Sequence, residues 1–318
     1  MKAIFSALLL GALISLPALS QDAWPTKPLR VVIPYPAGSP DDTIARLIAP
    51  SLKQSLNQPI LVENRPGAGG NIGAQEVIRS TDEHTVLFGT DTILTINPHI
   101  YRKLPFNSAE DLVPVTLLAS FSQMLVCNPH VPAKSLPQLV TLADKQDMTY
   151  ASGGQGVPGH IAMEMLLSTM RMRMTHAPYK GPSPAMQDVL GGTVPCGFLA
   201  SPVVGPFVKD GKLTGIVVSG VKRISGHPSV PTAEEAGAKG YDATFFEVVA
   251  MPKGTPAARI ARLQSAIAKA LSNPEVRATL ATLDLEPIAS SKEEAIRRLE
   301  ADRSKWGAVV GRLKLQVD

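Results

Sequence analysis

The chain is poor in aromatic residues, has only two cysteines, and after its first twenty residues contains no apolar run long enough to cross a bilayer. Each scarcity removes a class of function. Phe, Trp and Tyr make up 5% of 318 residues, too few for the stacking platforms that hold single-stranded nucleic acid. The net charge is +4, and the densest basic cluster, Arg297, Arg298, Arg303 and Lys305, is interleaved with Glu300 and Asp302. That pattern is a solvated helix face, and no nucleic-acid partner is expected. Cys127, near His130, offers too few ligands for a metal. Whether Cys127 and Cys196 pair stays open: an oxidising compartment permits it, but sequence does not place two Cα atoms within bonding reach.

Enzyme signatures are missing as well. Ser152 lies between Ala151 and Gly153 rather than in G-x-S-x-G, no phosphate-loop lysine follows either glycine-rich loop, and His160 with Glu164 has no third ligand at a recognisable spacing. A G-x-G-x-x-G string runs through Gly154, Gly156 and Gly159, but no acidic residue closes the next strand-like segment to hold a ribose. No catalytic residue, metal or cofactor is expected.

The first twenty residues have the pattern of a secretory signal. Lys2 precedes an apolar stretch whose core, residues 4–14, is too short to span ~30 Å of hydrocarbon, and Pro17 with Ala18, Leu19 and Ser20 suits cleavage after Ser20. No cysteine follows to carry a lipid. Export to the periplasm of residues 21–318 is expected, a length at which one core tends to divide into two.

Strand-like runs at 30–34, 60–63, 85–89, 124–128, 148–152, 173–178, 194–199, 213–219 and 245–251 alternate with helical spacing at 41–56, 71–80, 136–145, 160–170, 183–191 and 203–210. The alternation predicts an α/β fold with mainly parallel sheets. Pro50 should kink the first helix. After Pro256 the pattern is purely helical. Apolar crossings near 124–127 and 248–251 predict two lobes, residues 21–125 plus 247–318 and residues 126–246.

Two strand–loop–helix junctions carry the candidate chemistry. Val31, Val32 and Ile33 run into Pro34, Tyr35, Pro36, Ala37 and Gly38, after which Ser39 is the expected N-cap and Asp42 the capping-box carboxylate. The free amides and positive end of such a helix favour an anion. Residues 150–160, Tyr-Ala-Ser-Gly-Gly-Gln-Gly-Val-Pro-Gly-His, repeat the arrangement, with Gly154, Gln155, Gly156 and Val157 exposing backbone and His160 opening the helix. Gly89-Thr90-Asp91-Thr92 should rise beside the first loop if the sheet is parallel. There Thr90 and Thr92 offer hydroxyls, while Asp91 either accepts from a ligand amine or caps the next turn. Tyr179 and Lys180 end a strand of the second lobe.

Several strings together are specific: Trp24-Pro25 with Pro28, Pro36-Ala-Gly-x-x-x-Asp42, Val62-Glu-Asn-Arg-Pro-Gly-Ala-Gly-Gly-Asn-Ile-Gly73, Ile96-Asn-Pro98, Pro178-Tyr-Lys-Gly181, Gly191-Gly192 and Val230-Pro-Thr-x-x-Glu-x-Gly237. From Trp24 to Trp306 the chain resembles the substrate-binding proteins of the tripartite tricarboxylate transporter family, also called the Bug or TctC family. The resemblance implies a type II periplasmic binding-protein fold: two α/β lobes that close on a small carboxylate and deliver it, as a monomer, to membrane permease subunits. It further implies that Ala37, Gly38 and Ser39 on one side, and Gly154, Gln155, Gly156 and Val157 on the other, hold the carboxylates through backbone amides and waters, with Asp42 tying the first loop. A periplasmic subunit feeding a signalling receptor is the alternative role. The chain departs from the family pattern at Ser39, where a second glycine is usual, at Val157, where Ser or Thr is frequent, and in residues 195–199, which lack the usual acids. These departures imply a ligand with a more apolar body than a citrate-like tricarboxylate.

Overall fold

A computed structural model describes residues 24–317; the expected signal segment lies outside the described residues. Its strands are β1 (Leu29–Ile33), β2 (Ile60–Asn64), β3 (Thr85–Thr90), β4 (Leu112–Cys127), β5 (Thr149–Ser152), β6 (Thr175–Pro178), β7 (Cys196–Ala200), β8 (Thr214–Val218), β9 (Thr244–Pro252) and β10 (Glu286–Pro287). They are joined in the order β2-β1-β3-β9-β4-β7-β5-β6, with β8 and β10 also paired to β4.

The outer pairs follow the parallel α/β expectation. β1 lies parallel to β2 and β3, and β5 lies parallel to β6 and β7, with helices as right-sized crossovers. The helix Pro40–Leu56 buries Ile44, Ala45, Ile48, Leu52 and Leu56 on the core side, each large side chain contributing roughly 1.5–3 kcal/mol. It is continuous through Pro50, which faces solvent, so the carbonyl left without an intrahelical donor is open to water.

The middle of the system departs from expectation. β9 runs antiparallel to both β3 and β4, and β4 runs antiparallel to β7 and β8. β4 pairs with β9 from Leu112 to Ser122 and with β7 from Gln123 onward, so one 16-residue strand serves both lobes. The sequence pattern showed only its last quarter, because Pro114 and the polar Thr116, Ser120 and Ser122 interrupt the apolar run. Pro114 is accommodated where the register with β9 shifts.

The C-terminal helices are Ala257–Ser272, Pro274–Thr282 and Lys292–Leu313, the first of them packed against the helix Pro40–Leu56. The last carries a Ser291–Glu294 capping box and stacks Trp306 on Phe245 at 5.5 Å. Cys127 and Cys196 face each other across β4 and β7 and form a disulfide, settling the pairing that sequence left open.

Candidate binding cleft

The first loop is held from within by Asp42. Its Oδ2 accepts from Gly38 N at 3.0 Å, and its Oδ1 accepts from Arg46 Nε at 2.9 Å and Asn64 Nδ2 at 3.0 Å. Asn64 Nδ2 also donates to Tyr35 O at 3.0 Å. Burial alone would raise the Asp42 pKa, but the bonds from Arg46, Gly38 and Asn64 outweigh it and hold the carboxyl below its ordinary 3.8. The expected capping box is thus displaced by one residue. Asp42 reaches Gly38 rather than Ser39, whose amide turns to Pro36 O at 3.2 Å and whose hydroxyl makes no cap bond. Gly38, at φ +82°, takes a left-handed conformation that suits glycine.

The second loop is held by neutral groups. Gly154 N donates to Ser152 Oγ at 3.2 Å, Ser152 Oγ donates to Gly154 O at 2.9 Å, and His176 Nε2 lies 2.7 Å from the same hydroxyl. Gly156 N donates to His160 Nδ1 at 3.1 Å, and the His160 ring stacks on His176 at 4.2 Å. Burial, then the neighbouring His176, push the His160 pKa down to about 3, and burial pushes His176 down to about 4, so both rings are neutral. Gly159 packs the helix start against β7: a Cβ there would stand 2.0 Å from Phe198 O.

The loops face each other across a narrow cavity of ≈ 40 Å³, with Tyr35, Ser39, Asp41 and Thr90 on one side and Val157 and Leu199 on the other. Phe121 and Gln123 of the shared β4 line it too. Such a volume holds a few waters, so a carboxylate of several carbons enters only when the lobes part. They are closed here: a Cβ on Gly181 would meet Pro36 Cγ at 2.8 Å, one on Gly156 would meet Ile100 Cδ1 at 2.7 Å, and one on Gly38 would reach Ser183 Oγ at 3.7 Å. A wider groove of ≈ 570 Å³ shares Tyr35 and Val157 with the cavity and adds Gly154, Gln155, Tyr179 and Lys180.

An unexpected feature lies behind the first loop. Asp41 lines the cavity fully buried, and neither of its oxygens has a hydrogen-bond partner of acceptable geometry among the described residues. Glu247 of β9 sits directly opposite Thr90 of β3, equally buried and equally unpartnered. Burial raises the pKa of Asp41, tempered by nearby Ser39 and by the amides of the helix start and increased by Asp42. Burial raises Glu247 well above its ordinary value too, reinforced by Asp41 and Asp91. Asp91 is pushed up to about 8, by burial and then by Asp302.

Of the residues expected at the site, Tyr35, Ser39, Thr90 and Val157 line the cavity, while Gly154, Gln155 and Tyr179 line the groove. Tyr35 OH joins the two threonines, 2.9 Å from Thr90 Oγ1 and 3.4 Å from Thr92 Oγ1, as the parallel β1–β3 pairing predicts. Ala37, Gly38, Asp42, Asp91, Gly156 and His160 line neither space. The amides of Gly38, Ser39 and Gly156, expected to face a carboxylate, are taken by Asp42, Pro36 O and His160. Asp91 does not cap the following turn: its Oδ1 accepts from Phe246 N at 3.2 Å, and its other oxygen has no partner. Sequence reasoning passed over Asp41, Phe121, Gln123 and Glu247. A glutamate inside Phe245-Phe-Glu-Val-Val-Ala250, and a second acid beside Asp42, were the available signals.

Two α/β lobes sharing a long strand, closed over a cleft lined by strand-exit loops, define a binding protein of the periplasmic type. Residues 44–315 match the model of the tripartite tricarboxylate transporter family receptor, and the chain belongs to that family. It is 29% identical over 296 residues to protein BugT of Bordetella pertussis, covering 92% of this chain and 91% of that one. Among solved structures, R. palustris Rpa4515 with adipate is 28% identical with a TM-score of 0.87, covering 92% and 99% of the two chains. MatC of Rhodopseudomonas palustris with bound malate is 29% identical with a TM-score of 0.84, covering 90% and 100%. The family consists of receptors that bind solutes, and the chain is not an enzyme.

Proposed function

We propose that this receptor works in the periplasm, captures a small carboxylate-bearing solute between its lobes and passes it to membrane permease subunits of a tripartite tricarboxylate-type transporter. The observation that carries the reading is the pair of strand-exit loops meeting across one cleft in a family of solute receptors, two similar members of which hold adipate and malate. The change of partners along β4 and the start of β9 support lobes of residues 24–122 plus 244–317 and residues 123–243. We assign ligand contact to Tyr35, Ser39, Thr90 and Val157 inside the cavity, and to Gly154, Gln155 and Tyr179 at its mouth. The Gln155 amide at the crest of its turn has no partner among the described residues.

Binding shifts an open ensemble towards the closed one seen here. Thermal-shift and small-angle scattering measurements over a panel of mono-, di- and aromatic carboxylates test this. A true ligand at a hundredfold excess over its Kd should stabilise the protein by ~2.7 kcal/mol and reduce its radius of gyration. Absence of both across the panel refutes the reading.

A further inference from the structure

Asp41 is the sole acidic or basic side chain lining the cavity among the described residues. We propose that Asp41 receives an ammonium group, making the solute a short amino-carboxylate that carries both charges rather than a dicarboxylate. The proposal rests on the carboxylate-carrier reading above and narrows it.

A buried carboxylate without a cation or hydrogen bonds is costly, and a fold retains one where a partner arrives from outside. Asp41 is fully buried with both oxygens unpartnered. The Ser39 hydroxyl, 2% exposed, lines the same cavity beside Asp41. An ammonium offers three donors, which Asp41, Ser39 Oγ and Thr90 or Gln123 can share. Glu247, behind Thr90, is a second buried carboxyl without a partner of its own. The second carboxylate of a dianion placed there would meet like charge, which costs several kcal/mol. The carboxylate end of the solute is left to the groove side, where Lys180 and the Gln155 amide lie.

Isothermal titration of the purified chain at pH 7.5 with matched pairs of equal carbon number decides the matter: succinate against 4-aminobutyrate, glutarate against 5-aminopentanoate, adipate against 6-aminohexanoate. In the pair of best-fitting length the amino member should bind about tenfold or more tighter. Asp41→Asn should remove or invert that preference, whereas Asp41→Glu, which keeps the charge, should retain it; melting curves verify that both variants fold. If dicarboxylates bind and equal or exceed their amino partners in every pair, the ammonium assignment is overturned while the carrier reading stands. A preference that survives Asp41→Asn also overturns the assignment to Asp41. If no carboxylate of either series binds, both readings fall.

Discussion

The two loops that face each other across the cleft look like copies in sequence and are opposites in electrostatics. Each follows a strand, passes through glycines and opens a helix. The first is tied by an ionised carboxylate, Asp42, and holds further acids, Asp41 and Glu247, in its shadow. The second is tied by a hydroxyl and two neutral imidazoles. Similar backbone scaffolds therefore give an acid-rich jaw and a jaw of hydroxyl and imidazole groups. The internal ties engage the amides of Gly38, Ser39 and Gly156.

The largest expected effect is on pH dependence. An acid whose folded pKa is raised holds its proton in the native state while the unfolded chain has released it, so stability falls as pH rises from the unfolded value towards the folded one. Asp41, Asp91 and Glu247 all act in this direction, Asp91 from 3.8 up to about 8, and together they are worth on the order of several kcal/mol. Arg298 and Lys305 near Asp91 moderate the effect. His160 and His176 act in the opposite sense below their ordinary 6.5, since the unfolded chain takes protons that the buried rings refuse. Melting temperature of the ligand-free protein should therefore climb steeply from pH 8 to pH 6.5 and flatten below. A melting temperature that rises towards pH 8 contradicts the assignment of these buried acids.

Next in size is Gly159→Ala in the neutral jaw, whose Cβ would press on the carbonyl of Phe198 at 2.0 Å. A clash with backbone leaves no side chain to give way, and a loss of about 3 kcal/mol is expected in denaturant unfolding. Asp42→Ala should cost roughly 2 kcal/mol, since it strands three donors that had a charged acceptor. Ser152→Ala, the matching change in the second loop, should cost roughly 1 kcal/mol because its partners are neutral. Equal losses for the last two would erase the contrast between the jaws. The Asp42 contribution should also vanish as pH drops below its depressed folded pKa, whereas the Ser152 contribution carries no such dependence.

Much of this was readable in the residues. The outer strands and nearly every long helix follow from period and caps, and the two loops follow from Pro, Gly and Ser placed between a β-branched run and an apolar stripe. β4 was half hidden because polar residues and Pro114 break the pattern of a strand that changes sheets midway. His160 was legible as the residue that opens the second helix. Its bond to Gly156 N is local, whereas its stacking on His176 depends on a strand 16 residues away, beyond any local rule.

What the sequence by itself determined is the local frame: two strand–turn–helix junctions whose short-range sterics and capping chemistry need no distant partner. Only the tertiary structure decided which of their polar groups remain for a ligand. β9 brings Glu247 opposite Thr90 from 157 positions along the chain, and no cation pairs with it or with Asp41 among the described residues. Electrostatic environment is set by what surrounds a group in space, and for this cleft those surroundings are assembled from both ends of the chain.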